Sequence, residues 1–303
     1  MSFDGCEICG GSEWTTVYRG AIRDGVFGCV RNECEVARCS GCGADRLAEI
    51  CCPPEDFYET DAYRCHLKQQ IDTASYLKGH DELQIFPLLA LWPRNLRKLT
   101  VADIGCAGGS FFDHVRGLAS RLVGVEPFSE FHEELRSRGC DVYPYAADAA
   151  RALPESVDVA VSLQVIEHTR DPRAFLADIR PLLKQDGLLM ISTPNRADFM
   201  MRALPEAYPE FFYRVAHRWY FDAGSLAECA RLAGYVVAET RFVHRHSLSN
   251  AIMWLRDRRP SGRTEVPGVG VLGDGLWRTF LESTGQSDCI YMILKLQAKD
   301  IAE

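Results

Sequence analysis

The 303-residue chain lacks several features that would each suggest a function. No apolar run approaches the ~20 residues a membrane-spanning helix needs. There is no basic excess: 34 Lys and Arg stand against 42 Asp and Glu, a net charge of −8. A bulk attraction to nucleic acid or to an anionic membrane is therefore not expected. The N-terminal MSFDGCEICG has neither the basic region nor the apolar stretch of a secretory signal. Cysteine, by contrast, is plentiful at 13 residues. An odd count in a chain of this size, with no export signal, argues against a disulfide scaffold. Reduced thiols or metal ligation in the cytoplasm are the expectation.

Two C-x-x-C pairs, Cys6/Cys9 and Cys39/Cys42, are each followed by glycine. Each offers two thiolates from one tight turn, and glycine supplies the positive φ such a turn requires. Brought together they form a closed tetrahedral site of the structural zinc kind, with no position left for chemistry. The alternative is a set of buried cysteines without metal. TTVYRG and GVFGCV read as short strands between the pairs. Cys29, Cys34, Cys51 and Cys52 fall off the pattern and read as spectators. The expected layout is a zinc-ribbon-like module over 1–50, a helical linker or lid over 51–95, and a large domain over 96–303. Acceptor-binding insertions are expected near 196–221 and 244–286.

From residue 96 the chain alternates. LTVADIG, RLVGVEP, DVYPY, SVDVAVSLQVI and LLMISTPN read as strands. GGSFFDHVRGLA reads as a helix, SEFHEELRSRG as one capped by Ser129, and DPRAFLADIRPLLKQDG as one opened by Asp171-Pro172 and closed by Gly187. Near-continuous apolar strands separated by helices mean a doubly wound parallel sheet covered on both faces. Ligands in such sheets bind at the carboxyl ends of the strands. The glycine-rich stretch VADIGCAGGS (101–110) ends the first of these strands. Glu126 ends the second, Asp148 follows the third, and Gln164 to His168 end the fourth.

The glycine turn is not the dinucleotide G-x-G-x-x-G, and Asp103 just before it is a poor neighbour for pyrophosphate. DIGCAGG resembles motif I of the class I S-adenosylmethionine (SAM) dependent methyltransferases, D-x-G-x-G-x-G, with Ala107 in place of the middle glycine. The resemblance implies a Rossmann-like seven-stranded sheet whose last strand, SDCIYMILKLQAK, is antiparallel. It implies SAM contacts from Asp103, Gly105, Ala107, Gly109, Glu126, Asp148 and Gln164, with Glu126 on the ribose. The four-cysteine head together with HRWYFDAGSLAECARLAGY resembles the bacterial deoxysugar and surface-polysaccharide-cluster methyltransferases. This suggests a nucleotide-activated sugar or a related intermediate as acceptor.

Methyl transfer needs positioning and, for a hydroxyl, amine or enolisable carbon, a base. His217 is the first candidate and Tyr220 the next. His168 is either a second catalytic group or a capping histidine. The surrounding aromatics, Phe211 to Tyr213 and Trp219 to Phe221, either line the acceptor pocket or pack the core. Arg245, His246 and Asn250, next to His244, form a polar cluster suited to a phosphate or carboxylate, or else an exposed loop. A Glu–Glu–His–His metal site is not expected, because Gln164 breaks the motif. The rival readings are an RNA methyltransferase gripping RNA with its zinc head, and a non-catalytic SAM- or partner-binding module. The head's basic residues (Arg19, Arg23, Arg31, Arg38 and Arg46) are few for an RNA grip.

Overall fold

A computed structural model describes residues 3–66, 73–91, 95–262 and 264–298. Two sheets organise it. The larger has seven strands: β4 (Thr100–Ile104), β5 (Arg121–Val125), β6 (Cys140–Tyr143), β7 (Val157–Leu163), β8 (Leu183–Pro194), β10 (Tyr235–Val243) and β11 (Cys289–Leu296). Their order is β10-β11-β8-β7-β4-β5-β6. The pairs among β6, β5, β4, β7 and β8 are parallel, and β11 runs antiparallel to both neighbours. This is the Rossmann-like, doubly wound fold expected, including the reversed last strand.

Apolar β-branched runs such as VDVAVSL place buried residues on both faces of the sheet, so each face carries its own core. One face packs Ala149, Leu176, Leu226 and Ala230 from the helices at 146–152, 172–179 and 223–232. The other packs Leu88, Phe111 and Leu135 from those at 86–91, 110–115 and 132–137.

The smaller sheet is a head: β1 (Trp14–Arg23), β2 (Val30–Cys39) and β3 (Asp45–Leu47), joined by β9 (Trp219–Tyr220) from the far side of the chain. β9 pairs antiparallel with β3. A buried ionic stitch accompanies it, in which Arg196 bridges Asp45 and Asp222. The head therefore shares backbone hydrogen bonds and a third apolar cluster, including Ile22, Leu47, Phe212 and Trp254, with the segment after β8.

Several local expectations need correction. GVFGCV is a turn up to Cys29, because Gly25 and Gly28 take φ of +88° and +89°; the strand begins at Val30. Ser129 does not cap a helix by its side chain; it opens a 3₁₀ turn. Gly187 does not close the helix that Asp171 caps. That helix ends at Ile179, before Pro181, which lacks an N–H to continue it. Gly187 instead lies inside β8, where a Cβ would come within 2.9 Å of the Val157 carbonyl. Gln164 takes φ +57° and ends β7 before the predicted QVI continuation. Of the expected helical linker, 67–72 and 92–94 lie outside the described residues.

Candidate active site

The glycine turn lies where β4 meets the helix at 110–115. Gly105 and Gly109 take φ of +83° and +77°. A Cβ on Gly105 would approach Val165 to 2.5 Å, and one on Gly109 would approach Leu135 to 2.6 Å, so neither position admits a side chain. Ala107 takes φ +44°, a left-handed conformation that alanine adopts at a cost. Its N–H donates to Glu126 Oε2 at 2.8 Å, and Phe128 N–H donates to Oε1 at 3.0 Å. A carboxylate has about four lone-pair sites, so Glu126 keeps acceptor capacity for two hydroxyls.

Asp103 is buried beside Glu126, and its carboxylate has no hydrogen bond among the described residues. Burial first, and then the Glu126 charge, push its pKa up to about 8. A buried, uncompensated acid of this kind is a receptor for a cation. The linker closes on the same turn: Ser110 donates to Asp81, and His114 Nε2 lies 3.0 Å from Asp81. Asp148 lies in the first turn of the 146–152 helix and pairs with Arg151. Gln164 donates to Ser192 Oγ and Cys289 Sγ, both at 3.3 Å, and so ties together the ends of β7, β8 and β11.

A polar wall begins one turn beyond β7. His168 Nδ1 donates to the Ala216 carbonyl at 2.7 Å, and the Tyr58 hydroxyl donates to the same oxygen. A carbonyl can only accept, so the neutral ring carries its proton on Nδ1. Burial lowers the pKa of His168 to about 4. The His217 ring lies 4.8 Å from it, edge to face. Its pKa is also depressed, by burial first and then by Arg214. Both imidazoles are therefore neutral near pH 7. Glu167, next to His168 in sequence, accepts from Thr193 at 3.1 Å with one oxygen, while the other is buried without a partner. Burial raises its pKa to about 7.

The remaining candidates are not free for chemistry in the same way. The Tyr220 hydroxyl is buried; it donates to Arg214 O and accepts from Arg214 N, both at 2.9 Å, so it clasps the chain ahead of His217. Arg245 is bound to Asp288 through Nε at 2.7 Å, and His246 Nε2 lies 3.6 Å from the same acid. Asn250 accepts from Ser261 N–H at 3.0 Å and holds the glycine- and proline-rich loop. Of the aromatics, Phe212, Tyr213, Trp219, Tyr220 and Phe221 are core, and Phe211 is half-buried.

Tyr58 and Tyr63, whose rings stand 5.0 and 5.8 Å from His168, come from the linker and were not singled out from the sequence. Nor were Arg214 and Asp288. No local motif marks any of these four, and only the fold assembles them.

The cysteine head is built differently. Cys6, Cys9, Cys39 and Cys42 place all four sulfurs within 4.8 Å of one another, with Cys6–Cys42 at 3.6 Å and Cys9–Cys39 at 3.5 Å. Zn–S bonds of ~2.3 Å put tetrahedral thiolates about 3.8 Å apart, so the set fits zinc. Gly10 and Gly43, at φ +76° and +75°, donate to the carbonyls of Cys6 and Cys39 and shape matching turns. A Cβ at Gly41 would crowd Cys9 Sγ to 2.9 Å. Cys34 and Cys51 are buried among the aromatics of the third cluster, Cys52 packs against it, and Cys29 is exposed.

A family model described as a methyltransferase domain matches residues 78–240, more than half of the chain, and the chain belongs to that family. Among curated relatives, the ubiquinone biosynthesis O-methyltransferase of Cereibacter sphaeroides (strain KD131 / KCTC 12085) is 32% identical over 131 residues, 38% of this chain and 53% of the relative. That of Methylobacterium sp. (strain 4-46) is 29% identical over 178 residues, 55% of this chain and 72% of the relative. The chain thus spans about half the length of the first of these. A chain from the complex of the Haloferax volcanii Trm112 methyltransferase activator with a methyltransferase superposes with a TM-score of 0.50. It is 15% identical and covers 74% of this chain and 95% of its own, a likeness of fold alone.

Proposed function

We propose that the chain transfers a methyl group from SAM to a small acceptor. One observation carries this reading. A buried, uncompensated carboxylate (Asp103) and a pair of neutral histidines (His168 and His217) stand at the carboxyl edge of one sheet. SAM supplies an electrophilic methyl carbon on a sulfonium. On this reading Asp103 takes up the ammonium group, the spare lone pairs of Glu126 take the ribose hydroxyls, and Asp148 lies toward the adenine. Gln164 holds the strand ends in register. His217 accepts the proton as the acceptor atom attacks. His168, fixed by Ala216 O and Tyr58, orients that wall.

The relatives' names favour a hydroxyl acceptor on a small molecule. A nucleotide-activated sugar rests on the resemblance of the head alone. Zinc in the four-thiolate set is structural, since a closed site leaves no position for substrate.

The test is release of S-adenosylhomocysteine with separate pools of phenols, nucleotide sugars and total RNA. Asp103→Ala should weaken SAM binding about 10- to 100-fold, as expected on losing a charge-assisted contact of about 1.5–3 kcal/mol. His217→Ala should lower kcat by roughly 10²–10⁴ with SAM affinity unchanged. Equal SAM binding by Asp103→Ala, or turnover with RNA only, would overturn the reading.

A further inference from the structure

Inward-facing arginines in this protein come with carboxylates. Arg196 pairs with Asp45, Arg46 and Arg218 with Glu49, and Arg245 with Asp288. Arg23, Arg180 and Arg214 depart from that rule among the described residues, each with a buried, unpartnered Nε, and two of the three stand together. Arg23, the last residue of β1, and Arg214, in the segment before β9, form an isolated parallel bridge. Arg23 N–H donates to Tyr213 O, and Val215 N–H donates to Arg23 O, both at 3.0 Å. Bridge partners stand side by side with their side chains on the same face. The backbone thus roots the two side chains side by side, and the Arg214 charge bears on Arg23.

Neither guanidinium has a carboxylate within 4.0 Å or a side-chain hydrogen bond among the described residues, and each Nε is buried without a partner. Both residues keep partial exposure, and of their guanidinium nitrogens only the Nε of each is fully enclosed without a partner. Burial, and then the neighbouring Arg214 charge, lower the pKa of Arg23 to about 9. Arg23 also lies over the Phe211 ring, 4.3 Å from its centre, which holds its plane in place. Tyr63, within the field of both arginines, has a hydroxyl without a hydrogen bond among the described residues. Its ring borders His168. Glu167 bears on Arg214 from a distance, but no carboxylate touches either arginine, and two like charges held together in a half-buried place are costly unless an anion completes them.

We propose that Arg23 and Arg214, with the Tyr63 hydroxyl, form a subsite for a carboxylate or phosphate group on the methyl acceptor. Planar guanidinium forks match either group bidentately. The subsite rests on the methyl-transfer reading above and deepens it: the acceptor is an anion, held by its charged group while its nucleophilic atom faces His217. Arg214 is three residues from His217, and both arginines bear electrostatically on that ring. The anion that fills the subsite therefore also relieves the positive field on the proposed base. The role expected from sequence for Arg245, which Asp288 neutralises, passes to this pair. It also gives the head a part in acceptor binding, since β1 carries Arg23.

The test uses the full chain with its metal, at constant ionic strength, with pyrophosphate and benzoate titrated separately by calorimetry and SAM in parallel. Wild type is expected to bind at least one anion. Arg23→Gln and Arg214→Gln should each weaken that binding tenfold or more. Arg214→Lys should retain part of it, and Arg241→Gln, an exposed residue paired with Glu239, should retain all of it. SAM affinity should stay within twofold throughout. Binding of pyrophosphate alone assigns a phosphate, and binding of benzoate alone a carboxylate. The proposal is overturned if wild type binds neither anion, or if the glutamine variants bind as wild type does. Should Arg214→Gln fail to fold, Arg23→Gln against Arg23→Lys decides. Failure of SAM binding in wild type would instead sink the methyl-transfer reading.

Discussion

The cysteine head and the histidine wall are both clusters of titratable side chains, but they are built on opposite principles. In the head, four cysteines come from two short turns, glycines shape each turn, and the sulfurs converge on one closed volume. Along the wall, Arg23, Tyr58, Tyr63, Glu167, His168, Arg214 and His217 come from four distant stretches, and several keep an unsatisfied nitrogen or oxygen. A structural site closes its coordination and leaves nothing over. A site meant for a ligand leaves polar groups uncompensated, and the fold bears that cost until the ligand arrives.

The comparison breaks most visibly if the head is opened. Cys39→Ala removes one of the four thiols of the proposed zinc site, and structural zinc contributes on the order of 10 kcal/mol to small modules. The head should lose its fold. Because β3 pairs with β9, and Leu47 N–H donates to Arg218 O, the loss should reach His217. The expected result is a drop in Tm of more than about 10 °C and a fall of at least 100-fold in turnover. SAM affinity should stay within about threefold, since the glycine turn lies on the other sheet. Calorimetry, metal analysis and SAM titration measure all three. A variant that keeps turnover would separate the head from the wall.

That prediction also marks how far the sequence was legible. The C-x-x-C pairs, the glycine turn, Asp103 and Glu126 are local: their chemistry lies within a few residues of a strand end or a turn, and the order of strands follows from apolar runs. The wall is not local. Nothing near Arg23 distinguishes it from Arg19 or Arg31. What singles it out is the absence of a carboxylate, a property of the packed interior. Asp288, which neutralises Arg245, is 43 residues away from it. The aromatic run 211–221 reads from sequence as either pocket lining or core, because rings serve both equally well. Only burial separates the two uses.

A medium effect sharpens the comparison through pH. Burial holds His168 and His244 both at about 4 in the folded chain, against an ordinary value of 6.5. A depressed histidine binds fewer protons folded than unfolded. Stability is therefore fully present above about 6.5 and is lost as pH falls from there toward 4. Within that window each such group costs about 1.4 kcal/mol per pH unit. The raised acids Asp103 and Glu167 act in the opposite direction over the same range, so the readout is a difference between variants: between pH 7 and 4.5, His168→Gln should lose less Tm than wild type. An unchanged slope in that variant would mean that His168 titrates normally and is not the neutral group the proposed mechanism requires.

The smallest effect concerns the glycine turn. Ala107 occupies a left-handed conformation that costs an L-residue about 1–2 kcal/mol, while glycine gives back about 0.5–1 kcal/mol in unfolded-state entropy. Ala107→Gly should therefore stabilise by roughly 0.5 kcal/mol, about 1–2 °C in Tm for a chain of this size. The N–H that donates to Glu126 stays in place, so SAM affinity should hold within twofold. If Ala107→Gly instead lowers Tm, the methyl group is making contacts that outweigh the backbone strain. If Tm rises while SAM binding weakens, the alanine is holding the turn in its ligand-ready shape. In that case the turn, like the arginine pair, would carry strain in its resting state for the sake of a ligand.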